Sequence, residues 1–159
     1  MRLNVKLSDG APLPRHARPG DAGIDLTSTE TVEIMPGGTV LVGTGVRMEL
    51  PAGYFGMLAP RSGMASKRGI TLANTPSVID SSYRGEIKLA LHNMAPSHVF
   101  VDGECVPNWD GKVTVERGER VAQMIVLAHE TLECIAVDEL SESSRGEGGF
   151  GSTGLKAIE

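Results

Sequence analysis

Aromatic residues and cysteines are scarce in this chain of 159 residues, which holds one Trp, two Tyr, three Phe and two Cys. Cys105 and Cys134 form no CxxC pair and have no His at ligand spacing, so neither a disulfide framework nor a zinc site is expected. We interpret both as small, buried or partly buried hydrophobic residues. Lone thiols of this kind fit a reducing compartment, and we expect a cytoplasmic protein.

Positive charge and long apolar runs are also limited. The formal net charge is −5, and no run of Lys or Arg extends beyond the pair Lys67 and Arg68, which excludes the basic face of a duplex nucleic-acid binder. The longest mostly apolar stretch, residues 121–128, is too short to cross a bilayer. Residues 1–10 carry charges and no apolar core, so we expect no secretory signal and no membrane attachment.

Glycine and proline, by contrast, are abundant, at 20 and 9 residues. Both damage helix interiors, which excludes a helical bundle or coiled coil. The hydrophobic fraction of 40% excludes wholesale disorder. The length fits one domain, which we place at residues 1–140. Apolar side chains are rare in residues 141–159, and five of the nine residues 146–154 are Gly. This Gly-rich tail is therefore expected to be mobile.

Short apolar–polar alternations separated by turn residues predict an all-β fold. Leu3, Val5 and Leu7 show the period of two that puts one face of a strand inside, and several similar runs favour an antiparallel sandwich or barrel. Residues 121–128 and 132–140 are apolar enough for strands buried on both faces. One short helix is expected at residues 63–67 with Ser62 as its N-cap, and residues 97–111 are expected to form a hairpin-like insertion.

Five polar, Gly-containing stretches stand where strands are expected to end, at residues 21–26, 60–63, 74–86, 118–123 and 145–154. Asp80 could act as a general base on water, or could only hold an Asx-type turn. Arg61 and its neighbours could bind phosphate at a helix start, or could form a plain capped turn. The Gly-rich tail is no Walker A loop, since Ser152 stands where that motif needs Lys; it could be a flap over a nucleotide or a flexible terminus.

Together and in this order, the five stretches resemble the five motifs of the trimeric dUTPase (dUTP diphosphatase) family. The strongest piece is Val78-Ile79-Asp80 followed by Tyr83-Arg84-Gly85-Glu86. The resemblance implies a jelly-roll-like β-barrel and a homotrimer whose active sites are shared between subunits. It also implies hydrolysis of dUTP to dUMP and pyrophosphate by water attack at the α-phosphorus, which limits uracil in DNA and supplies dUMP for dTMP synthesis.

The resemblance also implies roles for individual residues. Asp80 would orient the attacking water, Tyr83 would pack under the deoxyribose, and the turn from Asn74 would read uracil. Asp25 would lie near a Mg²⁺ cofactor held by phosphates and water, with no direct protein ligand. The implied catalytic residues are Asp25, Asp80 and Gln123. The implied substrate-binding residues are Arg61, Ser62, Gly63, Asn74, Ile79, Asp80, Tyr83, Lys88, Gln123, Arg145, Phe150, Gly151, Ser152 and Thr153.

Two departures and two rival functions accompany the resemblance. Ser77 replaces a usual Gly and would be strained if its φ were positive. The insertion at residues 97–111 could be a surface hairpin or an arm for an unknown partner, which would add a regulatory role. A dCTP deaminase of the same fold is the nearest rival, but Ala90 stands where that family carries its catalytic Glu.

Overall fold

The computed structural model describes residues 2–149. Its elements in chain order are β1 (Asn4–Leu7), β2 (Ile24–Thr27), β3 (Val32–Ile34), β4 (Thr39–Gly43), β5 (Val46–Glu49), β6 (Tyr54–Pro60), α1 (Ser62–Arg68), β7 (Ile70–Leu72), β8 (Ser77–Ile79), β9 (Lys88–Asn93), β10 (His98–Val101), β11 (Glu104–Pro107), β12 (Val113–Val115) and β13 (Arg120–Ala128). The prediction of an all-β fold with one short helix is confirmed.

The strands pair antiparallel in five small sheets. The largest has the order β2-β13-β6-β8, the next β4-β9-β7, and three two-stranded sheets join β1 to β5, β3 to β12 and β10 to β11. Within residues 2–149 these sheets do not join into one closed barrel. The long strand β13 pairs with β2 on one side and β6 on the other, so it places three sequence-distant segments side by side.

The core lies between the sheets and explains the strand pattern. Leu26, Leu58, Leu89 and Met124 are at most 2% exposed, and burying each such side chain stabilises the fold by about 1.5–3 kcal/mol. A few polar groups share this interior with satisfied hydrogen bonds. Asn93 donates to the carbonyl oxygens of Ile34 and Gly111 at 3.0 and 2.8 Å, and this ties the base of the insertion to the core.

The predicted insertion is a β-hairpin. β10 and β11 pair through the turn at Asp102 and Gly103, where both φ angles are positive, at 51° and 85°. An Asp-Gly pair is well suited to such a turn. The hairpin leaves Phe100 77% exposed, and Trp109 beyond it is 68% exposed. The partner predicted for this insertion stays a prediction.

Three local expectations are wrong. Arg61 is the N-cap of α1 and makes no side-chain capping bond, while Ser62 is the first helical residue. Cys105 and Cys134 are exposed thiols and not part of the interior. Residues 131–149 form no strand, so the apolar run at 132–140 is not buried in this chain. The large apolar side chains of that run are 60–88% exposed: Leu132, Ile135, Val137 and Leu140.

Candidate active site

The first groove lies where β8 ends and the chain turns toward β9. The turn closes when the Tyr83 N–H donates to the Asp80 carbonyl oxygen at 3.1 Å. The groove has a volume of about 500 Å³, and its lining combines apolar and ionisable side chains. Among its lining residues are Val78, Ile79, Asp80, Tyr83, Glu86 and Lys88. The structure thus brings together four of the predicted site residues, with the Asp80 carboxylate exposed.

Tyr83 is held in one orientation by the residues that follow it. Its hydroxyl donates to the Glu86 carbonyl oxygen at 2.9 Å. A Cβ atom on Gly85 would lie 2.3 Å from this hydroxyl oxygen and 2.5 Å from the ring carbon that bears it. A side chain at position 85 would therefore force the Tyr83 ring to move. The sequence shows Gly85 as part of a motif, but its steric role depends on its contact with the Tyr83 ring, which only the fold creates.

The turn that carries Asn74 is also locally held. The Asn74 amide donates to the Ser77 hydroxyl at 3.2 Å. Ser77 begins β8, and among the described residues Asp102 is the one non-glycine residue with a positive φ. The strain considered for Ser77 therefore does not arise. Instead, its hydroxyl supplies a partner for Asn74 that a glycine could not offer.

Arg84 connects the turn that follows β8 to the neighbouring strand β5. Its guanidinium donates to the Ser81 carbonyl oxygen at 2.6 Å and pairs with the Glu49 carboxylate at 3.3 Å. The Asn4 amide, which donates to the same carboxylate at 2.9 Å, and the Arg84 charge lower the pKa of Glu49. Both members of the ion pair are about half exposed, so its contribution to stability is small.

A second groove, of about 420 Å³, lies at the opposite end of β6. Arg61, Ser62 and Gly63 follow β6 and begin α1, whereas Gln123 lies on β13 opposite both Asp25 and Ala59. The polar and glycine lining of this groove is Asp21, Gly23, Asp25, Arg61, Ser62, Gly63 and Gln123. Guanidinium, hydroxyl, amide and backbone N–H donors of this kind suit phosphate oxygens.

Asp25 joins two arginines at the edge of this second groove. Its Oδ1 lies 3.0 Å from Arg61 Nε, and its Oδ2 accepts from Arg120 Nη1 at 2.9 Å. The Asp25 side chain is only 13% exposed. Arg61 Nη1 also donates to the Arg120 carbonyl oxygen at 3.0 Å. Both carboxylate oxygens are therefore occupied by guanidinium groups, and Arg120 is a neighbour to which the sequence motif assigned no role.

Gly23 makes room for Gln123. A Cβ atom at Gly23 would lie 2.2 Å from the Gln123 side-chain oxygen. The Gln123 amide nitrogen is in contact with the Pro60 carbonyl oxygen at 3.3 Å, so the side chain is fixed between β2 and β6. This contact gives a physical reason for the glycine in the first of the five stretches.

The two grooves lie far apart within one chain. In the β6–β8 pairing Gly56 lies opposite Ile79, so Asp80 lies level with Phe55. From Phe55 to Arg61 the chain rises about 3.3 Å per residue, or about 20 Å in all. One chain therefore does not place Asp80 and Arg61 at the same point.

The tail residues are divided by the limit of the described structure. Arg145 Nε donates to the Gly148 carbonyl oxygen at 2.6 Å in an exposed turn, and Arg145 lines neither groove. Phe150, Gly151, Ser152 and Thr153 lie outside the described residues.

No helix of the described part is long and apolar enough to span a membrane, and no group of three or more His, Cys, Asp or Glu side chains within it could hold a metal ion.

Comparison with known proteins gives one consistent family. The dUTPase family model matches residues 9–154. The chain belongs to the dUTPase family. A deoxyuridine 5'-triphosphate nucleotidohydrolase of Corynebacterium efficiens is 45% identical over 150 residues, which cover 94% of this chain and 76% of the relative. The Nocardia farcinica protein of the same name is 44% identical over 151 residues.

Solved dUTPase structures share the fold. The Staphylococcus bacteriophage 80alpha dUTPase with dUPNHPP is 32% identical, with a TM-score of 0.86 over 97% of this chain and 99% of that chain. A dUTPase mutant from phage phi11 of S. aureus, described with a structural Mg(II) ion, has a TM-score of 0.75 and 30% identity over 87% of this chain and 98% of that chain. The predicted jelly-roll-like fold of the dUTPase type is thereby confirmed.

Proposed function

We propose that this dUTPase hydrolyses dUTP to dUMP and pyrophosphate by water attack at the α-phosphorus. The activity limits uracil incorporation into DNA and supplies dUMP for dTMP synthesis. The observation that carries the proposal is the first groove, where Asp80, Tyr83 and Lys88 meet in a chain 45% identical to a named dUTP nucleotidohydrolase.

Asp80 is proposed to orient and activate the attacking water. It is exposed at the end of β8, where a carboxylate can accept a proton from a water within hydrogen-bond reach. Asn74 precedes β8 and Ile79 ends it, and both are proposed to bind the uracil, largely with backbone groups. The Tyr83 ring, fixed against Gly85, is proposed to pack under the deoxyribose and to exclude a ribose 2′-hydroxyl. Lys88 is proposed to attract the phosphates from the rim of the groove.

The second groove is proposed to bind the triphosphate. Arg61, Ser62, Gly63 and Gln123 supply its donors, and Asp25 fixes the Arg61 guanidinium. A phosphoryl-transfer reaction of this type needs positioning and charge stabilisation more than covalent chemistry by the protein.

Mg²⁺ is the proposed cofactor, bound by phosphate oxygens and waters, as hard cations prefer. The residues present fit this arrangement, because both Asp25 oxygens already accept from arginines, so this carboxylate would lie near the metal without binding it directly. When bound, Mg²⁺ would neutralise charge on the phosphates.

A homotrimer with shared active sites is proposed for two structural reasons. Asp80 and Arg61 of one chain are about 20 Å apart by strand counting, so a complete site needs these residues from different chains. In addition, residues 131–140 present four large apolar side chains that are 60–88% exposed. Exposed apolar segments of this kind mark protein interfaces, and a second copy of the chain would cover them.

We propose that residues 1–140 form the single main domain. The tail, residues 141–159, is proposed to close over bound nucleotide. Arg145 would bind phosphate, and Phe150, Gly151, Ser152 and Thr153 would cover the base and the γ-phosphate. Closure would exclude bulk water from the reaction. The exposed thiols Cys105 and Cys134 favour a reducing compartment, and the cytoplasm is the proposed location.

A pyrophosphate-release assay with Mg²⁺ across dUTP, dTTP, dCTP and UTP tests the proposal. We expect rapid release from dUTP and at least about a hundredfold lower kcat/KM with the other three. The rival deaminase activity predicts ammonia release from dCTP and none of this selectivity. Ala90 lies in β9 opposite Leu41, and no carboxylate replaces it there, so we expect no ammonia.

A further inference from the structure

Arg120 has no part in the function proposed above, although it contacts the phosphate groove through Asp25. It begins β13 and pairs with Asp25 Oδ2 at 2.9 Å, while its own side chain is 50% exposed. It lines a separate groove on the far side of Asp25, with His16 and Pro14. Arg120 therefore lies behind the carboxylate, whereas Arg61 lies in front of it in the phosphate groove.

The charges of the phosphate groove show what Arg120 could contribute. The charged residues that line it are Asp21, Asp25 and Arg61, so two carboxylates accompany one guanidinium. The triphosphate of dUTP carries about four negative charges, and its attraction to such a lining would be weak. Asp25 is the less exposed of these two carboxylates, so solvent screens its charge less. Arg120 lies against Asp25 and offsets that charge.

The contacts of Arg61 point the same way. Arg61 uses Nε for Asp25 and Nη1 for the Arg120 carbonyl oxygen. Nη2 is the guanidinium nitrogen that these two contacts leave for a phosphate oxygen. If Asp25 had Arg61 as its only counter-charge, the pair would be neutral and Arg61 would attract phosphate poorly.

We propose that Arg120 is a positioning residue that neutralises Asp25 and so leaves the positive charge of Arg61 available to the triphosphate. The proposal rests on the assignment of Arg61 to the phosphates. Arg120 acts through Asp25 and does not touch the substrate. Its removal should weaken binding of the triphosphate and leave the attack on the α-phosphorus nearly unchanged.

Arg120→Gln in the full-length enzyme tests this directly. We expect the KM for dUTP and the Kd of the non-hydrolysable analogue dUpNHpp to rise about tenfold, as loss of one nearby positive charge predicts, with kcat changed less than about twofold. Arg120→Lys keeps the charge and should restore the Kd to within about threefold of wild type. The Kd of uncharged deoxyuridine should be the same in all three proteins.

The matched control is Arg47→Gln, which removes the same charge from an arginine that donates to Ser8 at 3.3 Å and does not contact Asp25. It should leave the Kd of dUpNHpp unchanged. An equal weakening by Arg47→Gln would mean that net charge, not Arg120, is responsible, and the proposal would be wrong.

A salt titration separates charge from structural support. Because added salt screens charge interactions, the difference in the dUpNHpp Kd between Arg120→Gln and wild type should shrink to less than about threefold at high salt. A purely structural role predicts the same ratio of Kd values at every salt concentration, which would overturn the proposal. If Arg120→Gln fails to fold, Arg120→Met is measured in the same way, because it also removes the charge.

Arg61→Gln distinguishes the two levels of inference. If Arg61→Gln weakens dUpNHpp binding and Arg120→Gln does not, the role of Arg120 is refuted and the phosphate groove stands. If Arg61→Gln leaves binding unchanged, the assignment of the phosphate groove itself fails, and the role of Arg120 fails with it.

Discussion

Gly85→Ala is the substitution that most sharply tests the role of Tyr83. The new Cβ would lie 2.3, 2.5 and 2.9 Å from three atoms of the Tyr83 side chain, where ordinary contact begins at 3.4 Å. The ring must therefore move by about 1 Å, and its hydrogen bond to the Glu86 carbonyl oxygen, worth about 1 kcal/mol, is lost. Because Tyr83 is 44% exposed, the fold has room for this movement and should persist.

The expected functional effect is a loss of sugar discrimination. A crowded contact that rejects a single small group is worth about 1–3 kcal/mol, or about tenfold to two-hundredfold in kcat/KM. We therefore expect Gly85→Ala to lower the ratio of kcat/KM for dUTP over UTP by at least about tenfold. Pyrophosphate release measured with both nucleotides gives this ratio directly, and the melting temperature should fall by only about 2–4 °C.

Tyr83→Phe is the matched control, because it removes the same hydrogen bond and leaves the ring free to stay in place. Its ratio should fall by less than about threefold. An unchanged ratio in a folded Gly85→Ala enzyme would refute the argument that ring position excludes the ribose.

Two further substitutions and one deletion follow from the site. Asp80→Asn should reduce kcat by about 10²–10⁴-fold, the range for a general base, while dUpNHpp binds normally by calorimetry; wild-type turnover would remove Asp80 from its role. Gly23→Ala should displace Gln123 and reduce kcat/KM about tenfold to hundredfold, and full activity would mean that Gln123 does not position phosphate. Deletion of residues 141–159 should reduce kcat at least about tenfold and leave the trimer intact by light scattering, whereas full activity would contradict closure by the tail.

Much of the fold was predictable because its signals are local. The alternation around Val5 predicted β1, because side chains of a strand alternate between its two faces. The apolar run at residues 121–128 predicted β13 as a largely buried strand. The turn at Asp102 and Gly103 follows from the ease with which these two residues adopt positive φ. The five motifs were equally visible, because their order and spacing are properties of the chain itself.

The failures came from contacts that other segments supply. The apolar run at residues 132–140 indicated burial, but no sequence pattern says whether the cover comes from the same chain or another. The thiols are exposed because Cys105 lies in the β10–β11 hairpin and Cys134 lies in the segment after β13 that forms no strand. The sequence showed Gly85 only as part of a motif. The reason that a Cβ atom is disfavoured there is the position of the Tyr83 ring, which depends on the fold.

The sequence alone determined the family and the all-β class, and it predicted the candidate site residues. The tertiary structure decided which of them meet. Asp25 reaches Arg61 and Arg120 because β13 pairs antiparallel with both β2 and β6. Asp80 is held away from Arg61 because β8 pairs with the opposite end of β6. Strand register is a long-range property, and it set both the clustering of the charges and the separation of the two grooves.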